Sequence, residues 1–455
     1  MKGKGIGKVI SQTQSLCPIC LKKIPARRVI QDGNVYLEKE CSEHGSHRVL
    51  LWREASSYEE WGEFGVDLGS PKNTLTEVVQ GCPYDCGLCP AHKAETCVAI
   101  MEVTNRCDLS CSICFASSGE GKVYEPGFSV IQKMYETLSH TAGLCPVQLT
   151  GGEPTLRDDL PKIAKLGQEM GFDPIMVNTN GNRIAEDMGF LLQLRDNGVS
   201  TIYLQFDGVT DEVYLQIRNR KLMGNKIQAL KNCAQAKISV VLVPTLIPGV
   251  NDHQIGDMVQ LAKSMVPTVR GIHFQPVSYF GRYPQAPQDK DRITIPDVLR
   301  GLETQTNKEV KRDDFTPRKR KESYCAFAGL FVLMEDNKLF PLTNYKYAQG
   351  MSYGNRLPYE QARKYLNKQW GLISRTEEPS SDDKPGSWSR LAKRAESYSL
   401  SISCMPFQDV YNVDLERLER CCTHVVTPDK RLVPLCAYYL TSSSGERLYL
   451  GSPSK

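Results

Sequence analysis

The sequence predicts an α/β fold, a parallel sheet wrapped by helices, with metal-binding extensions at both ends. Two observations predict it. Between residues 98 and 300, short apolar runs alternate with amphipathic stretches of helical period, as repeated strand–helix units do. Outside that zone the chain is dense in cysteine: of 17, ten fall in the first 114 residues and four between Cys404 and Cys436.

Taken in order, residues 1–75 hold a Cys/His module and a linker. Residues 76–97 hold a second cysteine cluster. Residues 98–300 form the alternating core, and residues 301–455 a more polar region with a third cysteine group. In the core, the candidate strands are Val98–Val103, Pro146–Thr150, Pro174–Asn178, Thr201–Phe206, Ser239–Pro244 and Gly271–Gln275. The candidate helices are Ser129–Ser139, Leu160–Met170, Glu186–Asn197, Lys221–Ala236 and Gln254–Ser264. Right-handed crossovers lay six strands side by side, as a partial (β/α)6 barrel or a doubly wound sheet. Either way the chemistry belongs at the C-terminal strand ends. Those ends carry Gly151, Gly152, Glu153 and Pro154, then Asn178 and Asn180, Gln205 and Asp207, and Gln275. Cys145 and Cys233 read as core residues, Arg318–Lys321 as a solvated basic loop and Arg375–Gly386 as a surface linker.

Composition narrows the function. Lys+Arg 56 against Asp+Glu 52 leaves a net charge of +4, too little for a general nucleic-acid surface. The most apolar long stretch, Ile238–Val250, is broken by Pro244 and Pro248 and is shorter than the about 20 residues of a spanning helix. Met1–Ser15 has no apolar core of a secretory signal. A cytoplasmic protein is expected, with peripheral membrane contact left open. In a reducing compartment, so many cysteines point to metal or redox chemistry rather than disulfides.

Cys107, Cys111 and Cys114 follow the first strand with C-x3-C-x2-C spacing. Three thiolates this close hold three corners of a [4Fe–4S] cube and leave the fourth iron open; a structural zinc site would want a fourth ligand at matching spacing. Cys17, Cys20, Cys41 and His44 form C-x2-C…C-x2-H, a knuckle for mononuclear Zn or Fe, with His47 read as a surface histidine. Cys82, Cys86, Cys89 and Cys97 offer four thiolates for an auxiliary [4Fe–4S] cluster. Cys325, Cys404, Cys421, Cys422 and Cys436 are more loosely spaced candidates for a further one.

With Thr150-Gly-Gly-Glu-Pro154 after the second strand, the three-cysteine loop resembles that of the radical SAM superfamily; Ile113 stands where that family usually has an aromatic. The resemblance implies a (β/α)6 radical SAM barrel whose open iron binds S-adenosylmethionine (SAM) and yields a 5′-deoxyadenosyl radical. It implies that Gly151 and Gly152 approach closely, that Glu153 helps bind the SAM amino group, and that the polar strand ends touch the cofactor. An electron donor such as ferredoxin or flavodoxin is expected. Three further features extend the likeness: the Gly81–Cys97 segment, Phe280-Gly-Arg-Tyr283 with Arg292–Pro296, and Cys421–Asp429 with Leu435-Cys-Ala-Tyr438. Together they resemble the tetraether lipid synthase group, itself related to a dihydropterin methyltransferase assignment. The group implies coupling of unactivated alkyl chains of a lipid-like substrate. Methylation of a pterin-like small molecule is the alternative, and a multi-cluster electron-transfer protein the alternative of another class.

Overall fold

The structure, a computed structural model, describes residues 7–62, 69–119, 123–317, 323–346 and 388–449, with backbone alone at 388–390. The basic run Arg318–Lys321 and the linker Arg375–Gly386 lie outside the described residues.

The N-terminal strands β1 (Lys8–Leu16), β2 (Lys23–Gln31), β3 (Asn34–Cys41) and β4 (Gly45–Trp52) form an antiparallel meander. Asp32-Gly33 makes its central turn. Both residues have positive φ, +50° and +72°, which a two-residue hairpin of matching twist requires. Helix α1 (Ala55–Gly62) follows. Its Tyr58 and Trp61 pack on Trp52 with ring centroids 5.7 and 5.9 Å apart. The Trp61 indole N–H donates to the Ser323 carbonyl at 2.8 Å, which ties the meander to the rest of the chain.

The core strands are β5 (Val98–Thr104), β6 (Val147–Gly151), β7 (Ile175–Thr179), β8 (Val199–Gln205) and β9 (Ser239–Val243). The short β10 (Thr245–Leu246) follows, then β11 (Val269–Pro276). The β5-β6-β7-β8-β9-β11 series is parallel throughout. Helices α2 (Phe128–Ala142), α3 (Leu160–Glu169), α4 (Asn182–Glu186), α5 (Met188–Asp196), α6 (Asp211–Arg218), α7 (Met223–Ala236) and α8 (Ile255–Ser264) fill the crossovers. Helices α4 and α6 were not anticipated by the periodicity. Both are a few turns at most, too short for a repeating apolar stripe to stand out.

After helix α9 (Ile295–Gln305) come β12 (Thr316–Pro317), β13 (Phe327–Leu333), β14 (Leu339–Pro341), β15 (Ser399–Cys404), β16 (Thr423–Val426) and β17 (Leu432–Pro434). Strand β15 joins β11 in parallel, and β16 joins β5 in parallel. The C-terminal region therefore lengthens the sheet at both edges.

Successive side chains of a strand face opposite ways, and the strands obey this. Ala99, Met101, Leu149, Val177, Ile202, Leu204, Leu242 and Ile402 are buried in the main core. The alternate positions, from Ile100 and Gln148 to Tyr203, Val241 and Ser403, line one cavity. Cys145 and Cys233 are buried core residues.

Candidate active site

The loop after β5 is pinned from three sides. Asp108 accepts from Asn180 Nδ2 at 2.6 Å and from Asn182 Nδ2 at 2.7 Å, fastening the loop to the end of β7. Ser112 N donates to the Ile217 carbonyl at 3.2 Å, and Asn219 Nδ2 to the Ser110 carbonyl at 2.7 Å, fastening it to the end of α6. Cys114 and Arg282 exchange backbone hydrogen bonds of 2.9 and 3.0 Å, and Arg282 Nε donates to the Cys111 carbonyl at 2.8 Å. The Phe280-Gly-Arg-Tyr283 motif thus has a local job: it clamps the third cysteine. Gly281, at φ +53°, has no room for a side chain, since a Cβ would lie 2.6 Å from the Phe115 carbonyl.

Cys107, Cys111 and Cys114 all open on the cavity, beside Gly151, Gly152 and Glu153. The glycines are explained by the three-cysteine loop itself. A Cβ on Gly151 would lie 1.9 Å from the Thr104 carbonyl oxygen, and one on Gly152 2.1 Å from that of Arg106. Gly152 N and Glu153 N instead donate to those oxygens at 2.8 and 2.7 Å.

The Glu153 carboxylate is buried and already served. It accepts from Thr155 N and Oγ1 at 3.1 and 2.6 Å, Thr179 Oγ1 at 2.7 Å and Asn180 N at 2.6 Å. Burial nevertheless raises its carboxyl above the usual range. It stitches β6 to β7, and Pro154, buried, starts the short turn it caps.

Of the other rim residues, Asn178, Asn180, Gln205 and Gln275 line the cavity. Asp207 departs from the sequence reading. Its buried carboxylate accepts from Arg218 Nε and Nη2 at 2.7 and 2.9 Å, from Thr245 N at 3.1 Å and from Gln205. Arg218, which the sequence reading missed, is the member of that pair that lines the cavity and sits against the Cys111 thiol. Fully buried Lys226 donates to Gln205 Oε1 at 2.9 Å and to the Asn180 carbonyl at 2.5 Å; burial lowers its pKa to about 8. No local sequence pattern marks these two cations, because their partners lie on other strands.

Burial pushes the Cys107 thiol up to about 12. Three thiols grouped on one cavity wall suit iron–sulfur ligation, and loading must remove their protons.

A second metal-competent group is tighter. Sγ of Cys17 and Cys41 lie 3.6 and 3.5 Å from His44 Nδ1, and Sγ of Cys20 and Cys41 are 4.0 Å apart. Ligands at Zn–S of about 2.3 Å in a tetrahedron stand roughly 3.8 Å apart, so the four fit one Zn or Fe ion. Backbone N–H groups, then His44, lower the Cys41 thiol to about 6. His47 is half-buried rather than a surface residue, and its Nε2 is buried without a hydrogen bond.

In the 82–97 segment, Asp85 Oδ2 accepts from Val79, Gln80 and Gly81 N at 2.7, 2.7 and 2.6 Å, shaping the turn that starts at Cys82. The Cys82 and Cys86 side chains are neighbours, with Cys89 close by. The segment docks on 419–422: Cys97 N donates to the Cys422 carbonyl at 2.7 Å, and Lys93 N to that of Glu419. Here the sequence reading missed a buried imidazole pair, His92 and His424, with Nε2 atoms 3.1 Å apart.

The C-terminal cysteines do not all converge. Cys404 is fully buried in the helix-facing core, aligned with Phe274 and Phe327. Cys325 Sγ accepts from Arg417 at 3.3 Å, Cys421 Sγ contacts the Thr423 carbonyl at 3.3 Å, and Cys436 Sγ accepts from Gln408 N at 3.3 Å. Among the described residues, no helix is long and apolar enough to cross a membrane.

The radical SAM superfamily profile matches residues 101–262, and that of the HMPTM N-terminal zinc ribbon domain matches residues 9–53. A 7,8-dihydro-6-hydroxymethylpterin dimethyltransferase of Methanocaldococcus jannaschii is 38% identical over 94% of this chain and 93% of its own. The chain belongs to the radical SAM superfamily. A GTP 3′,8-cyclase of Nautilia profundicola is 28% identical over 38% of this chain and 55% of its own. The SAM-bound crystal structure of Streptococcus suis SuiB is 14% identical, with 47% of each chain covered and a TM-score of 0.39. The chain thus spans about half the length of the cyclase and of SuiB. Membership of the radical SAM superfamily implies a [4Fe–4S] cluster with SAM as cosubstrate.

Proposed function

We propose that this radical SAM enzyme transfers methyl groups to a pterin-like small molecule. The carrying observation is the likeness, over nearly the full length of both chains, to a protein named as a pterin dimethyltransferase. On this reading Cys107, Cys111 and Cys114 hold the catalytic cluster, which supplies an electron to the sulfonium of SAM. Gly151 and Gly152 fix the distance between that loop and β6. Glu153 holds β6 and β7 in register, so SAM meets the backbone there more than the carboxylate. Asn180, Gln205, Gln275 and Arg218 complete a polar rim, and the walls exclude water. Cys82, Cys86, Cys89 and Cys97 hold an auxiliary cluster. The Cys17, Cys20, Cys41, His44 group holds a structural zinc. A ferredoxin- or flavodoxin-like donor supplies the electron.

A second reading, alkyl coupling as in tetraether lipid synthases, draws on the aliphatic walls of the cavity at Val98, Ile100, Val241 and Val243. The comparisons favour the pterin. Anaerobically reconstituted protein is given SAM, a reductant, and either 6-hydroxymethyl-7,8-dihydropterin or a diether lipid. Methylated pterin together with 5′-deoxyadenosine supports the first reading. Joined alkyl chains with an untouched pterin overturn it.

A further inference from the structure

We infer that Gln148 and Asn178 read the lactam edge of a fused heterocycle inside the barrel. The inference rests on the pterin reading and deepens it. Both side chains line the cavity of about 270 Å³ enclosed by the strands, near the lower end of ligand pockets, roughly 300–1,000 Å³. Asn178 Nδ2 donates to Gln148 Oε1 at 3.3 Å. Asn178 Oδ1 is buried with no partner, and Gln148 Nε2 makes no hydrogen bond among the described residues. Two amides joined by one hydrogen bond leave the carbonyl oxygen of one and the NH2 group of the other wholly free, whichever way the pair is turned. The pair therefore presents a donor beside an acceptor. An N–H next to a C=O satisfies both at once; an alkyl chain would bury both unpaired, which is costly.

Depth and neighbours agree. Gln148 precedes Gly151 by three residues on β6, so the pair sits on the order of 10 Å below the Gly-Gly turn. Asn178, expected at the cofactor rim, is aligned across the sheet with Tyr203, and Tyr203 also lines the cavity. An aromatic face beside a donor–acceptor couple is a bed for a flat heterocycle.

The test uses reconstituted holoenzyme with Gln148→Leu and Asn178→Leu. Affinity for 6-hydroxymethyl-7,8-dihydropterin is read by ligand fluorescence, and affinity for SAM by its effect on the cluster EPR signal. Pterin affinity should fall tenfold or more in each variant, with SAM affinity within twofold. Unchanged pterin affinity overturns the inference. So does an equal loss of SAM affinity, which would assign the amides to the adenine of the cofactor. If wild-type protein binds no pterin, the pterin reading fails separately; lumazine and guanosine then decide. Binding of either that weakens in both variants keeps the inference, and no binding of any of the three overturns it. Should the leucine variants lose the cluster absorbance, the near-isosteric Gln148→Glu, which replaces the free Nε2 donor with a carboxylate oxygen, carries the same readouts.

Discussion

Gly152 has no room for a methyl group, because the Arg106 carbonyl oxygen occupies the space a Cβ would need. Gly152→Ala must push the cluster loop off β6, a misfit of roughly 1–3 kcal/mol. Iron per chain after reconstitution should fall well below wild type; wild-type loading with an unchanged melting temperature would count against this account. Lys226 makes a pH prediction. Below about 8 it is charged in the folded chain and pays for burial. As pH rises through 8 the folded chain releases that proton, while an unfolded lysine keeps it to about 10.4. The unfolded state then binds more protons, so stability rises with pH in that window, by up to about 3 kcal/mol. Denaturant unfolding at pH 7 and 9.5 should show a smaller rise in Lys226→Met than in wild type. Motif residues such as Cys107 were legible because their spacing is local. Arg218 and Lys226 were not, because only the folded sheet brings them to Asp207 and Gln205.

Loops and short elements depend on distant clamps. Arg282 holds Cys111 and Ser118 through its guanidinium and Cys114 through its backbone, so Arg282→Ala, which removes only the guanidinium contacts, should loosen the three-cysteine loop while leaving the six-stranded core folded. The expected result is reduced iron content at near-normal circular dichroism; full iron occupancy would argue that the loop holds itself. The N-terminal meander is anchored by Arg28, whose guanidinium meets fully buried Asp414 at 2.5 and 2.8 Å. Asp414→Ala leaves that arginine with Ser11 and the partly exposed Glu416 as its remaining partners, a loss of about 1.5–3 kcal/mol, and limited proteolysis should then release the ribbon first. The alternation of strand and helix was readable because amphipathic periods are local. The antiparallel meander was not drawn from the sequence, although Asp32-Gly33 between apolar runs is a hairpin signal. The cysteine spacing around it drew the reading toward a knuckle with a linker.

At the scale of the whole molecule, the tail extends the sheet that walls the cavity. Strands β15 and β16 extend opposite edges of the six-stranded sheet, and Ser403 and Thr423 close the cavity wall. A six-unit core was legible between residues 98 and 300; its two added strands were not, since parallel pairing over so long a separation leaves no local mark. The same contacts explain why Cys404 and Cys422, close in sequence, part company. One enters the helix-facing core and the other meets Cys97. The central claim is that Cys107, Cys111 and Cys114 hold an open-cornered cluster that cleaves SAM for pterin methylation. Its most direct measurement is mass spectrometry of an anaerobic turnover of reconstituted enzyme with SAM, dithionite and the dihydropterin. The account predicts 5′-deoxyadenosine and a pterin heavier by methyl groups, both lost when the three cysteines are replaced by alanine. An iron-loaded enzyme that yields no 5′-deoxyadenosine would contradict it.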